Sequence, residues 1–205
     1  MPQDSVRLPP RRTEQGFTLV EVLISIVILS FGMLGMVGLQ AGALQANREA
    51  KLQSVGTGLA RELAEKMRGN HEISKLTVVA NNPYLGTFNT DPLVAATPTF
   101  CLSVGATACT TPTTIAAAEM TEWLARVSAE MPGALVSVCF DSTPFDANGL
   151  PQWTCTNTGD IAVIKIGWTR GSTDKSRTGA SAFDRAANTT PSVVFPVTPA
   201  NVLTL

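Results

Sequence analysis

Residues 11–40 read RRTEQGFTLVEVLISIVILSFGMLGMVGLQ, and the fold turns on how this stretch is taken. From Phe17 to Leu39 it is apolar apart from Thr18, Glu21, two serines (Ser25, Ser30) and three glycines (Gly32, Gly35, Gly38). As a helix these residues span roughly 34 Å, enough to cross the hydrocarbon core of a bilayer. Arg7, Arg11 and Arg12 precede them. The positive-inside tendency then leaves the N-terminus cytoplasmic and sends the remainder across. Glu21 is the anomaly, because a carboxylate in lipid costs about 2.5–3.5 kcal/mol on insertion scales and is tolerated when paired. Composition alone leaves a second option open, in which Glu21 near the cytoplasmic interface snorkels to water.

An ordinary secretory signal would be cut after the apolar run, and Gly38 to Ala43 could mimic such a small-residue site. The leader here is instead short, polar and closed by Gly16, immediately before Phe17. The stretch Gly16-Phe17-Thr18-Leu19-Val20-Glu21 closely resembles the cleavage motif of type IV prepilins. That resemblance implies cleavage between Gly16 and Phe17 by a dedicated inner-membrane prepilin peptidase. It also implies N-methylation of Phe17 and retention of the apolar helix as membrane anchor and later filament core. By the same resemblance, Glu21 is the subunit-assembly residue. Cleavage creates a positive amine on Phe17, and Glu21 pairs with the amine of a neighbouring subunit, setting their axial stagger. Gly38 and Gly42 form a GxxxG pair. The glycines either let helices approach closely or weaken the helix by about 1 kcal/mol each. Filament-forming pilins resemble the second case and usually carry a proline there, but this chain has none between Pro10 and Pro83.

Beyond Gln40 the helical pattern turns amphipathic, with Leu44, Leu52, Val55, Leu59, Leu63 and Met67 on one stripe and Gly69-Asn70 as its stop. A helix of about 52 residues is expected. Residues 76–114 are Thr-, Ala- and Pro-rich with weak periodicity and read as a long loop. A second helix is expected from about Ile115 to Met131, ending at Pro132-Gly133, with Met120, Trp123, Leu124, Val127 and Met131 on one face. Strand candidates follow at 134–140, at 161–170 with Ala162, Ile164, Ile166 and Trp168 alternating, and at 192–197. Pro196 assigns the last of these to a sheet edge or a strand end. Residues 171–191 are polar and glycine-rich and read as a mobile loop. The predicted fold class is α+β, pilin-like: a long N-terminal helix packed on a small antiparallel sheet with a second short helix. The predicted divisions are a leader at 1–16, a transmembrane and filament-core helix at 17–39, its amphipathic continuation at 40–69, and a periplasmic globular domain at 70–205.

The four cysteines, Cys101, Cys109, Cys139 and Cys155, form no CxxC pair. An even count in an exported domain favours two disulfides, with three possible connectivities. Local pairing, Cys101 with Cys109 and Cys139 with Cys155, is the expectation. Loops of 9 and 17 residues would contribute roughly 2.5–3 kcal/mol each before strain. The competing reading is four buried free thiols.

Several chemistries are disfavoured. The net charge of −1 and charged fraction of 15% give no basic stripe for nucleic acid. His71 is the single histidine and stands beyond the helix stop, so neither a metal cluster nor a Ser-His-Asp enzyme is expected. Asp141, Asp146 and Asn148 invite calcium, but Pro144 occupies a ligand position. Gly56-Thr57-Gly58 matches only a fragment of a dinucleotide fingerprint and follows no strand. No nucleophile-elbow motif occurs. No cofactor, no metal site and no enzymatic activity are expected.

A looser likeness extends to one branch, the PilV-type minor pilins, which share a tryptophan-bearing helix ending in Pro-Gly, a cysteine-bearing strand and a later strand closing on tryptophan. Here these are Trp123 to Met131-Pro132-Gly133, Cys139, and Val163 to Trp168, with Met131 where the branch usually has leucine. The resemblance implies a minor pilin that helps prime pilus assembly at the inner membrane. Its implied partners are other minor pilins, the major pilin, a tip adhesin, the prepilin peptidase and the assembly platform. The alternatives are a minor pseudopilin of type II secretion, and a membrane-tethered adhesin or binding domain.

Overall fold

The computed structural model describes residues 16–88, 101, 109–174 and 176–198. They fall into two compact units, one reaching to Asn47 and the other starting at Arg48. Helix α1, Leu19–Gly69, runs through 51 residues and contributes to both. It ends where the Gly-Asn pair predicted, with Lys66 and Arg68 in its last turn facing the negative end of the helix dipole. The Asn70 side-chain amide donates to the Pro112 carbonyl at 2.7 Å, tying this end to the start of the next long helix. A single turn, α2 (His71–Ser74), follows.

In the unit from Arg48 onward, helix α3 spans Pro112–Glu130. It starts three residues before the apolar periodicity does, because Thr111 and Thr114 cap each other reciprocally and Pro112 needs no N–H at the first helical position. Four antiparallel strands, β1 (Gly86–Phe88), β2 (Leu135–Phe140), β3 (Ala162–Gly167) and β6 (Val193–Val197), pair in the order β1-β2-β3-β6. β1 lies inside the stretch read as loop, and three residues are too few to display a period of two. β6 is an edge strand, where Pro196 opposite Val163 interrupts no second ladder.

One face of the sheet, through Val136, Val138, Ile164 and Ile166, packs with Leu59, Leu63 and Met67 of α1 and Trp123 and Val127 of α3 in one core. Trp123 is fully buried, and its indole N–H donates to the Leu59 carbonyl at 2.9 Å. Ion pairs of Glu62 with Arg126, and of Lys66 with Glu122, flank the helix crossing. Gly56 is the tight point of α1. A Cβ there would stand 3.1 Å from Met131 Cε and 3.2 Å from Trp168 Cζ3, so this glycine serves close packing.

The other face carries Ser137, Cys139 and Lys165 and is also buried. It is closed by the segment after β2, through Asp141, Thr154 and Cys155. Residues 171–191 do not form the structureless loop their composition suggested. Arg170–Gly171 (β4) pairs antiparallel with Phe183–Asp184 (β5), and the guanidinium of Arg177 bonds Asp184 at 2.7 Å and the Ser172 hydroxyl at 3.0 Å. The glycine-rich composition reflects a solvated ribbon with short 3-10 turns at Gly179–Ala182 and Ala186–Asn188.

Candidate functional site

The chemistry-bearing residues of the first unit sit where α1 begins. Gly16, Phe17 and Thr18 are non-helical, and the helix starts at Leu19. Thr18 is its N-cap: the Oγ1 atom accepts the Glu21 N–H at 3.3 Å, and the Thr18 carbonyl accepts from Glu21 and Val22. Thr18 and Glu21 stand at capping-box spacing, with the Thr18 half formed. The motif reading treated Thr18 only as a position to match. Its capping role was legible from the Thr-x-x-Glu spacing before an apolar run.

Glu21 is exposed, and no cation pairs with it among the described residues. The other polar groups of the apolar run satisfy themselves: the Ser25 hydroxyl donates to the Glu21 carbonyl and the Ser30 hydroxyl to the Ile26 carbonyl, both at 2.7 Å. Glu21 is thus the one side chain in the run whose charge asks for a partner. From Gly16 to Arg48 every residue is exposed, Phe17 to 82% and Leu39 to 79%. A continuous apolar surface of this length is incompatible with water, and this is the one described helix long and apolar enough to cross a membrane. At Gly32, Gly35, Gly38 and Gly42 an added Cβ would meet nothing within 4 Å, so nothing in this unit explains four glycines.

The remaining predicted residues lie in the second unit. Cys101 and Cys109 are joined, as are Cys139 and Cys155, with Cα–Cα distances of 5.1 and 6.3 Å. The second bridge belongs to a buried polar layer that the sequence reading missed. Lys165 is fully buried, and its ammonium donates to Asp141 Oδ2 at 2.6 Å and to the Thr154 carbonyl at 2.8 Å. Asp141 Oδ1 accepts from the Thr143 N–H at 3.0 Å and the Thr156 hydroxyl at 3.1 Å. Burial pushes the Asp141 carboxyl up, but the Lys165 bond, the Thr143 and Thr156 bonds and the lysine's charge outweigh it. The carboxyl therefore sits below the ordinary carboxylate value. Asp141 and Asp146 do not converge: Asp146 closes its own turn on the N–H groups of Asn148 and Leu150. Where Cys139, Asp141 and Cys155 cluster, the sulfurs are bonded to each other and the acid to lysine.

Tyr84 is buried, with its hydroxyl on the Glu119 carboxylate. Burial first, and that neighbouring carboxylate second, raise its phenol above the ordinary value.

Residues 11–37 match the family model for the prokaryotic N-terminal methylation motif. No curated protein and no solved structure matches the chain. The motif, which spans the start and most of the apolar part of α1, supports a type IV pilin or a type II secretion pseudopilin. It indicates a structural protein that works with other pilus-type components, and the apolar helix behind it fits the single-pass membrane anchor of a prepilin-type protein.

Proposed function

We propose that the chain is a minor pilin of the type IV pilus, of the PilV type, which helps prime filament growth as part of a minor-pilin complex. The single observation that carries this reading is the arrangement at the head of α1. A non-helical, exposed Gly16-Phe17 link precedes a capped apolar helix whose acid, Glu21, has no cation among the described residues. On this reading the peptidase removes residues 1–16, Phe17 is N-methylated, and its amine becomes the charge that a neighbour's Glu21 receives. The apolar segment from Phe17 to Leu39 anchors the protein in the inner membrane with the globular part in the periplasm, until it moves into the pilus. The minor-pilin branch is supported by the core roles of Trp123 and Trp168, both fully buried, and by the turn at Pro132-Gly133, where Gly133 has φ +58°.

Priming follows from the same physics. Subunits whose helices are already gathered in the membrane, with amine and carboxylate paired, spare the first major pilins the unfavourable step of bringing charges together in lipid. The partners are then other minor pilins, the major pilin, a tip adhesin and the assembly platform.

N-terminal sequencing and intact mass of the mature protein test the reading. The expected result is N-methylphenylalanine at Phe17. An unmethylated end near residue 41 overturns it. Deleting the gene and imaging the cells tests the role: loss of surface filaments supports priming, whereas normal filaments on poorly attaching cells support an adhesin. Glu21→Gln should be processed normally yet fail to co-purify with its pilin partners.

A further inference from the structure

We infer that Thr18 is a positioning residue for processing: its side chain helps stop α1 two residues short of the scissile link, keeping the Gly16 carbonyl available for attack. The inference rests on cleavage after Gly16 and goes beyond it, because it assigns a task to a residue that the cleavage reaction does not touch.

The argument is about which acceptor takes which N–H. In an α-helix each N–H bonds the carbonyl four residues earlier. Were α1 to continue one turn toward the leader, the Glu21 N–H would go to the Phe17 carbonyl. The Val20 N–H would go to the Gly16 carbonyl, which is the carbonyl that must be attacked. In the structure Thr18 takes the Glu21 N–H instead, through Oγ1 at 3.3 Å and its own carbonyl at 3.1 Å. Neither the Gly16 carbonyl nor the Phe17 N–H holds a backbone hydrogen bond among the described residues. Both residues are exposed and non-helical. A peptide bond without internal hydrogen bonds can be drawn into a peptidase cleft, whereas a helical one must first be unwound.

Losing the cap would not simply fray the helix. The Glu21 N–H then keeps only the Thr18 carbonyl, at 3.1 Å. With Oγ1 gone, one of the two acceptors that hold it off the Phe17 carbonyl is lost. At the edge of lipid, where helix-end N–H groups gain from every acceptor in reach, the balance moves toward the Phe17 and Gly16 carbonyls. Gly16, a poor helix former, resists this extension but offers no alternative acceptor side chain.

The test uses the full-length chain in detergent micelles with purified prepilin peptidase, comparing wild type with Thr18→Val, Thr18→Ser and Thr18→Asn. Valine keeps the shape of threonine and loses the acceptor, whereas serine and asparagine keep a capping acceptor and change the shape. The expected result is a roughly five-fold fall in kcat/KM for Thr18→Val, the size that a lost N-cap sets, with Ser and Asn near wild type. Backbone carbon chemical shifts of Gly16 and Phe17 should move toward helical values in the valine variant alone. Equal rates for wild type and Thr18→Val, or a valine variant whose Gly16 and Phe17 stay non-helical, overturn the inference while leaving processing at Gly16 intact. A rate pattern that follows side-chain shape, with valine fast and asparagine slow, also overturns it. Failure of the wild type to be cleaved after Gly16 overturns both this inference and the proposed function.

Discussion

Replacing Lys165 by methionine keeps most of the side chain's length and removes its charge, and the structure sets both the size and the pH dependence of the damage. The ammonium is fully buried, 2.6 Å from Asp141 and 2.8 Å from the Thr154 carbonyl. Removing one partner of a buried pair costs about 3–5 kcal/mol, because an uncompensated charge is left behind. Here the cost has a ceiling, since Asp141 can escape by taking up a proton. At pH 7 that costs a carboxyl with an ordinary pKa near 4 about 4 kcal/mol, at 1.36 kcal/mol per unit. The expected loss at about pH 7 is therefore roughly 3–4 kcal/mol. The slope with pH must also reverse. In the wild type the Asp141 carboxyl is lowered in the folded state. Its contribution is complete above the unfolded value, near 4, and is lost as pH falls through the lower folded value. In Lys165→Met the folded carboxyl is raised instead, so the folded state binds the proton more tightly and the variant regains stability between about pH 7 and pH 5. Guanidinium unfolding of the detergent-solubilised chain, followed by tryptophan fluorescence at several pH values, measures both quantities. A loss below about 1 kcal/mol, or parallel pH profiles for wild type and variant, would refute the assignment of this pair as a buried, mutually dependent ion pair.

Three further outcomes are expected. Tyr84 is the single tyrosine, so phenolate absorbance reports it alone. With its pKa raised in the fold, its stabilising contribution is complete below the ordinary phenol value, near 10, and is lost as pH climbs beyond it. Absorbance should therefore appear only as the protein unfolds, and a phenolate signal near pH 10 from folded protein would contradict this. Gly133→Ala must hold φ +58° and drive a Cβ into the Thr169 hydroxyl. A loss of about 2–4 kcal/mol is expected, which adding Thr169→Ala should relieve only in part, since the left-handed backbone remains; calorimetry of the two variants checks this. Replacing Cys139 and Cys155 together by serine removes a bridge that closes residues 139–155 and should cost about 3 kcal/mol in denaturant unfolding by loop-closure entropy. Limited proteolysis should then cut first between 142 and 161, where Thr154 and Thr156 hold the segment to Lys165 and Asp141.

The parts of the fold with long periodic patterns were legible in the sequence. Leu59, Leu63 and Met67 declared the buried stripe of α1, and Trp123 and Val127 that of α3. Ala162, Ile164, Ile166 and Trp168 declared the core face of β3 and the residue just beyond it. What escaped depends on contacts distant in sequence. Lys165 interrupts an apolar strand and looks like the solvent side of an ordinary alternation. Only Asp141, 24 positions earlier, and the segment carrying Thr154 turn that side inward. Gly56 looked like part of a meaningless Gly-x-Gly. Its meaning comes from Trp168 and Val193, which no local pattern connects to it. At the candidate site the motif was plain from six adjacent residues and the capping spacing with it, but which half of the capping box forms needed the hydrogen bond itself.

The glycines of α1 sharpen the contrast between the two units. Gly56 has neighbours at 3.1–3.3 Å, so its small size is explained within its own unit. Gly32, Gly35, Gly38 and Gly42 lie in a helix without a break and meet nothing, while each costs about 1 kcal/mol of helix stability relative to alanine. A sequence does not keep four such positions in one exposed helix for the benefit of that helix alone. In lipid the helix is held regardless, because every backbone group must stay bonded. On the function proposed above, the small residues act when other helices approach, either by letting backbones come close or by lowering the cost of local unwinding once protein replaces lipid. With no proline between Pro10 and Pro83 to fix a breaking point, any such unwinding would have to be chosen by the neighbours and not by this chain.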